Sequence, residues 1–407
     1  MTRILAGMRV VEGCAFVAAP SGGMTLAQLG AEVIRFDPPG GGLDAKRWPV
    51  TRDGASLYWA GLNKGKKSFA VDITRPEGQE LVSALITAPG DNAGLFLTNF
   101  PARAWLGYEA LKRRRTDLIY LSITGDRHGG SQVDYTVNPR VGFPALTGTP
   151  GDDAPVNHVL PAWDLVTGQM AAVGLLAAER QRRLTHKGEF VQLSLLDVAL
   201  ATLGTLGFIA DAELHGQDRP RYGNDVYGAF GRDFATRDGR RVMVVGLTRR
   251  QWAGLRKSTG LAAAFDAVGQ SLGLNLDEEG NRFRAHEQLN AVLAPWIAAR
   301  DFAEVCRLFK EHDVCFGPYQ TVTELLRDDA EASVDNPLFK RVMQPGIGAY
   351  RMPGSPLYFS TASHEDPRPA PRLGEHTDEI LATMLGLDGG EIGRLHDQGI
   401  VAGAKQP

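Results

Sequence analysis

MRVVEGCAFVAAPSGGMTLAQLGAEVIRFD, residues 8–37, decides the fold. MRVVEG at 8–13 is a short β-branched run, GGMTLAQLG at 22–30 is a helical stretch that Gly30 stops, and AEVIRFD at 31–37 is a second strand closed by PPGGG. An apolar strand, a helix and a second apolar strand predict a βαβ unit with its two strands parallel. The pattern continues outward. FAVDI at 69–73 precedes a helix in which Thr74 and Glu77 have capping-box spacing and Pro76 lies in the first turn. GLFLTNF at 94–100 and LIYLSITG at 118–125 are further buried strands with a basic helical segment between them. The chain is therefore expected to be α/β, with an open, mostly parallel, Rossmann-like sheet.

Residues 165–200 read as two helices broken at THKGE, the first apolar on nearly every side until ERQRR and so expected to be buried. Near residue 215 the grammar changes. HGQDRPRYGND is polar and turn-rich, a hairpin is expected around Asp238-Gly239, and amphipathic helices follow to about 313. QPGIGAYRMPGSPLYF at 344–359 leads back to a helix near 376–386. The expected division is 1–215 for most of a large domain, 216–325 for a smaller inserted α+β domain, and 326–407 for a return segment completing the first.

Composition narrows the function. A formal net charge of -3 argues against nucleic acid as the main partner, because phosphate backbones need a cationic surplus. KGKK at 64–67 and KRRR at 112–115 are local exceptions, read as solvated faces or as contacts to a small phosphorylated ligand. Cys14, Cys306 and Cys315 are scattered, without zinc or disulfide spacing. The amino terminus lacks signal-peptide grammar and no apolar run reaches the length of a membrane span, so a cytoplasmic protein with no membrane partner is expected.

Common catalytic signatures fail. There is no GxGxxG after a strand, no GxSxG and no HExxH, and GLNKGKKS at 61–68 misses P-loop spacing by one residue. Attention falls on PAWDLVTG at 161–168, where Asp164 opens the long apolar helix. On spacing alone Asp164 reads first as an N-cap. The alternative is a nucleophile: apolar neighbours limit its hydration, and a helix N-terminus offers N–H groups to an anion or an oxyanion.

With these residues in view, the chain resembles the class III CoA-transferases, the family of formyl-CoA transferase and α-methylacyl-CoA racemase. The resemblance is carried by LAGMRVVEGCAFVAAPSGGMTLAQLGAEVIRFDPPGGG, NKGKKSFAVDI, TNFPARAWLGY, PAWDLVTGQMAAVGLLAAERQRRLTHKGEFVQLSLLDV and APRLGEHTDEILATMLGL, in that order and spacing. GGGLDAKRWPVT, YWAGLNKGK, VDYTVNP and NHVLPAWD bring it closest to the branch that shifts CoA between the two carboxylates of mesaconate. The resemblance implies that the large domain binds CoA and that two subunits interlock as a homodimer. It further implies that Asp164 is the nucleophile, passing through an aspartyl anhydride and an aspartyl-CoA thioester. The expected partner is the acyl-CoA thioester of a C5 dicarboxylic acid, with no metal and no cofactor beyond the CoA of the substrate. Val17, Ala18, Arg35, Phe36, Val71, Asp72, Asn99, Phe100 and Arg103 are its implied CoA contacts, and the lysines of KGKK could reach the phosphates.

Two departures refine this. The racemase branch carries a histidine before the aspartate of DYTVNP; Val133 stands there, and His128 is out of register, so two-face proton exchange is disfavoured. Formyl-type enzymes carry a glycine run early in the inserted domain, and RPRYGNDVYGAFG at 219–231 has none. That fits an acyl group supplying its own second carboxylate, for which Arg47, Arg219 and Arg221 are the candidate holders. An intermolecular transferase using, for example, succinyl-CoA, a racemase, and a non-catalytic acyl-CoA-binding protein stay as alternatives.

Overall fold

The computed structural model describes residues 3–404. Six parallel strands form its main sheet: β1 (Arg9–Gly13), β2 (Glu32–Asp37), β3 (Lys67–Val71), β4 (Leu95–Thr98), β5 (Ile119–Thr124) and β6 (Glu189–Ser194). Their order in space is β3-β2-β1-β4-β5-β6, and Val401–Ala402 adds a short antiparallel strand beyond β3. Eight helices carry the argument: α1 (Ala18–Gln28), α2 (Leu57–Leu62), α3 (Pro76–Ile86), α4 (Tyr108–Lys112), α5 (Asp134–Arg140), α6 (Phe143–Leu146), α7 (Ala162–Thr185) and α8 (Leu195–Thr205).

The centre of the sheet is apolar on both faces, as parallel strands covered by helices must be. Val10 pairs with Val33 and Leu95 and packs toward Ala19 and Leu26 of α1 and Ala171 and Leu175 of α7. Its neighbour Val11 joins Ile34, Phe69 and Phe96 on the other face, against Val82, Leu85 and Ile86 of α3. Chain order reverses between β1 and β4, so their carboxyl ends open a crevice where α/β sheets place ligands.

Helices α1 and α7 approach closely because they meet at glycines. A Cβ on Gly168 would lie 1.9 Å from Ser21 Oγ and 2.6 Å from the Ala18 carbonyl oxygen, and one on Gly22 would lie 2.8 Å from the Gly168 carbonyl oxygen. Only glycine permits that approach. It brings the N-terminal ends of both helices to one end of the sheet.

Three local expectations are corrected. Helix α1 starts at Ala18 rather than at Gly22, because Pro20 is tolerated in a first turn. EFVQLS after the THKGE break is strand β6, not helix, and its polar–apolar alternation was the available signal. Helix α7 is buried along one face only: Val166, Met170 and Val173 form an exposed apolar stripe at i, i+4 and i+7.

The chain divides into two compact units. The first comprises the residues up to Val141, His158–Leu214 and those from Ala330 onward; the second comprises Gly142–Asn157 and His215–Asp329. The second unit therefore includes a segment that the 216–325 boundary left out. Within it, Arg221 donates to the carbonyl oxygens of Ala145 (2.8 Å), Ala154 (2.9 Å) and Asp153 (3.3 Å), tying the early segment to the later one. Its antiparallel sheet of β7 (Phe230–Ala235), β8 (Arg241–Gly246) and β9 (Cys315–Tyr319) contains the expected hairpin, with Gly239 at φ 78° in the turn. Phe230, Trp252, Phe265 and Phe309 fill its core. Among the described residues, no single helix is long and apolar enough to cross a membrane.

Candidate active site

The first unit contains a cavity of about 860 Å³ at the carboxyl ends of β1, β4, β5 and β6, a size suited to an organic ligand. Phe16 to Ala18, Asn99, Phe100, Pro101, Phe190 and Leu195 supply much of its wall; Asp164, Asp134, Arg47 and Tyr58 are among its polar groups.

The β1–α1 loop that forms one wall is fixed from behind. Asn99 holds Ala15 twice, accepting its N–H at 3.0 Å and donating to its carbonyl at 2.8 Å. Phe16 adopts a left-handed φ of 70°, and its N–H donates to Asp44 Oδ2 at 3.0 Å. Asp44 in turn accepts from Arg35 at 2.7 Å, and Arg35 forks onto Asp37. Val17 and Ala18 therefore present the start of α1 to the cavity, where the first amides have no intrahelical acceptor.

Asp164 occupies the third position of α7, and Pro161 at the N-cap makes no side-chain cap. The cap comes from another helix. Asp134 of α5 accepts the N–H of Trp163 at 2.7 Å and of Asp164 at 3.2 Å through Oδ2, while Asn138 one turn on accepts the Trp163 indole N–H at 3.1 Å. The capping role expected of Asp164 thus belongs to Asp134, and two amides expected to serve an anion are already satisfied. The Asp164 carboxylate is left over: among the described residues no hydrogen bond or ion pair reaches it. Burial, aided by the charge of Asp134 and opposed by Arg47, pushes its carboxyl up to about 7.

Arg47 lies 5.2 Å from the centre of the Phe16 ring and 5.2 Å from that of Tyr58. Burial pushes the Tyr58 phenol up to about 12, so it stays a hydrogen-bond donor. Val133, at the N-cap of α5, is 51% exposed and lines the cavity, whereas His128 is exposed and outside the lining. No group of three or more His, Cys, Asp or Glu among the described residues is arranged to hold a metal.

Asp164 is thus a partly buried carboxylate without a partner, lining a cavity of cofactor size. The profile of CoA-transferase family III matches residues 5–377. The chain belongs to that family. It is 63% identical over 404 residues to the 2-methylfumaryl-CoA isomerase of Chloroflexus aurantiacus, covering 99% of both chains. It is 29% identical to the human succinyl-CoA:glutarate CoA-transferase, over 98% of this chain and 90% of that one. A crystal structure of a CAIB/BAIF family protein from Brucella suis superposes with a TM-score of 0.75 at 25% identity, covering 93% and 99% of the two chains.

The family's implied contacts divide sharply on this structure. Val17, Ala18, Asn99 and Phe100 line the cavity together with Asp164 and Arg47. Arg35 and Phe36 are 1% exposed and Val71 is fully buried, so their side chains cannot touch a ligand here; Arg35 serves instead as the anchor behind Asp44. Asp72, outside the lining, accepts from Thr74, and Arg103 is exposed beyond the Pro101–Ala102 rim.

The KGKK lysines are committed to protein partners, Lys64 and Lys66 buried and Lys67 partly exposed. Lys66 is buried against Glu12 at 2.7 Å, Lys64 donates to the Pro353 carbonyl, and Lys67 bridges Glu32 and Glu379. Arg219 and Arg221 belong to the second unit. Arg219 lies 4.1 Å from the Tyr227 ring centre, and Arg221 is spent on backbone carbonyls. Sequence reasoning missed Asp44, Tyr58 and the capping role of Asp134; the i, i+4 pair Asp134/Asn138 was the one visible hint.

Proposed function

We propose that the protein is an intramolecular CoA transferase, moving CoA from the C1 to the C4 carboxylate of mesaconate (2-methylfumaryl-CoA to 3-methylfumaryl-CoA). The observation that carries this is full-length similarity, 63% identical, to a protein named for that isomerisation. The unpartnered Asp164 carboxylate supplies a chemistry for it.

An Asp164 oxygen attacks the C1 thioester carbonyl, and CoA leaves as its thiolate. The thiolate attacks the aspartyl carbonyl of the resulting anhydride, giving aspartyl-CoA and a free C1 carboxylate. The C4 carboxylate then attacks aspartyl-CoA, and the released thiolate attacks the C4 carbonyl, restoring the Asp164 carboxylate. Each step exchanges acyl groups of similar transfer potential, so no net proton, metal or nucleotide is consumed. Oxyanions formed next to Asp164 face the first amides of α1 at Val17 and Ala18, since the amides of α7 are occupied. Val17, Ala18, Asn99 and Phe100 form the wall for the CoA chain, and Asp72 and Arg103 lie outside the cavity lining as outer contacts.

The active form is a homodimer in this proposal. Its support is the exposed apolar stripe Val166, Met170 and Val173 on α7, with Leu200, Leu206 and Leu214 of the same unit also exposed, Leu214 to 82%.

The test is incubation of purified protein with 2-methylfumaryl-CoA and isotopically labelled free mesaconate. Isomerisation without label entering the CoA ester is the expected result. A strict requirement for free acid, with label incorporated, would establish an intermolecular transferase, the second reading, which the 29% identical succinyl-CoA:glutarate CoA-transferase favours.

A further inference from the structure

The free acid formed midway is a small dianion, and an enzyme that isomerises must keep it while CoA rides on Asp164. The cavity walls offer little for that purpose: among the described residues lining it, Arg47 is the one cation. Its guanidinium is unusually placed. Two aromatic rings, Phe16 and Tyr58, lie beside it, each at 5.2 Å, and no carboxylate of the described residues lies within ion-pairing distance. One Arg47 N–H also reaches the Tyr58 phenol oxygen, while the aromatic faces stabilise the cation and leave the other N–H groups of the fork to recognise a carboxylate. Tyr58 is anchored by α2, whose N-cap Ser56 accepts the Trp59 N–H at 3.0 Å and donates to the Arg47 carbonyl. The Phe16 seat is fixed by Asp44 and Asn99 through the loop described above. Arg47 is therefore held on a rigid platform with its hydrogen-bonding edge uncommitted to any acidic side chain, in the same cavity as the nucleophile.

We infer that Arg47, seated on Phe16 and Tyr58, holds whichever substrate carboxylate is not being esterified, first C4 and then C1. This rests on the isomerase reading above and adds its specificity device. The trans double bond keeps the two carboxylates of mesaconate at a fixed separation, so one cation facing one nucleophile selects a dicarboxylate of that length. The intermediate turns end over end between the two residues and does not leave. Monocarboxylic acyl groups have nothing to offer Arg47 and react poorly.

The experiment compares wild type, Arg47→Lys and Arg47→Gln with two thioesters, 2-methylfumaryl-CoA and crotonyl-CoA, which lacks the second carboxylate. Acylation of Asp164 is read in a single turnover by trapping with hydroxylamine and locating the hydroxamate by mass spectrometry. Arg47→Gln should acylate from 2-methylfumaryl-CoA roughly 100-fold more slowly, the loss of a charge-assisted fork. Crotonyl-CoA should change less than about threefold, and the lysine variant should fall between, keeping charge without the fork. Equal losses with both thioesters, or an unchanged preference for the dicarboxylate, overturns the proposal. Calorimetric binding of mesaconate to CoA-loaded protein needs no turnover; binding by Arg47→Gln as tight as by wild type also overturns it. A wild type that acylates and prefers the dicarboxylate but yields no C4 isomer sinks the isomerase reading and leaves the role of Arg47 standing.

Discussion

Asp134 caps the helix that carries Asp164. One oxygen of its carboxylate accepts both the Trp163 and the Asp164 N–H, while its other oxygen is buried without a hydrogen-bond partner. The same group thus fixes the Asp164 backbone and places a negative charge beside its carboxyl, raising its affinity for a proton. Asp134→Asn keeps an acceptor and removes the charge, so the acidic limb of the pH profile of kcat/KM should move to lower pH. Asp134→Ala removes the cap as well, and urea denaturation should show a loss of about 1–2 kcal/mol. A profile unmoved by Asp134→Asn would mean that the charge does not reach Asp164.

The elevated Asp164 carboxyl makes opposite predictions for activity and for stability. In the proposed mechanism the carboxylate is the nucleophile, so kcat/KM should rise with pH through about 7 and level off above it. Between the unfolded value of 3.8 and about 7 the folded state holds a proton that the unfolded state has lost. Stability from this group is therefore full below 3.8 and is lost as pH rises through about 7. Asp164→Asn should abolish turnover yet raise Tm at pH 8 by about 1–3 °C, with little change at pH 5. Melting curves of the two proteins at both pH values decide this.

Gly168 lies one turn beyond Asp164, where α1 and α7 touch. Gly168→Ala would force apart backbone as well as a side chain, since its Cβ meets the Ala18 carbonyl oxygen at 2.6 Å. Overpacking of this kind costs about 1–3 kcal/mol, and displacement of α7 should lower kcat together with stability. Gly61→Ala on α2 meets nothing within 4 Å and is the control, expected to be neutral or slightly stabilising.

Lys66 separates a structural lysine from a phosphate-binding one. Its Nζ serves Glu12, the Pro20 carbonyl and Asn63 inside the core, and the Cys14 thiol also donates to Glu12. Lys66→Met leaves a buried carboxylate unpaired, at a cost of about 3–5 kcal/mol in denaturant. The dissociation constant for CoA, measured below the unfolding transition, should stay within about threefold. A large loss of CoA affinity with intact stability would restore the phosphate reading.

The fold was largely legible because its signals are local. Val10, Val33 and Leu95 sit in apolar runs that only a covered parallel strand needs, and glycine and proline mark where those runs end. Strand β6 was missed because it lies at the sheet edge, where Phe190 and its neighbours are half exposed and the apolar signal thins. In the site, type and order of residues singled out Asp164 through family resemblance, while residue type misled at Arg35 and the KGKK lysines. A basic side chain in sequence carries no sign of whether its partner will be a ligand or a buried carboxylate such as Asp37 or Glu12.

By itself the sequence determined the strand and helix grammar, the α/β class and the one acidic residue at the head of the long helix. Tertiary structure decided that this residue is not its helix's cap, because the capping carboxylate arrives from α5, 30 residues earlier in the chain. It also decided that Arg47 lines the same cavity as Asp164. Capping, ion pairing and burial are distance relations between side chains remote in sequence, and only the packed chain sets those distances.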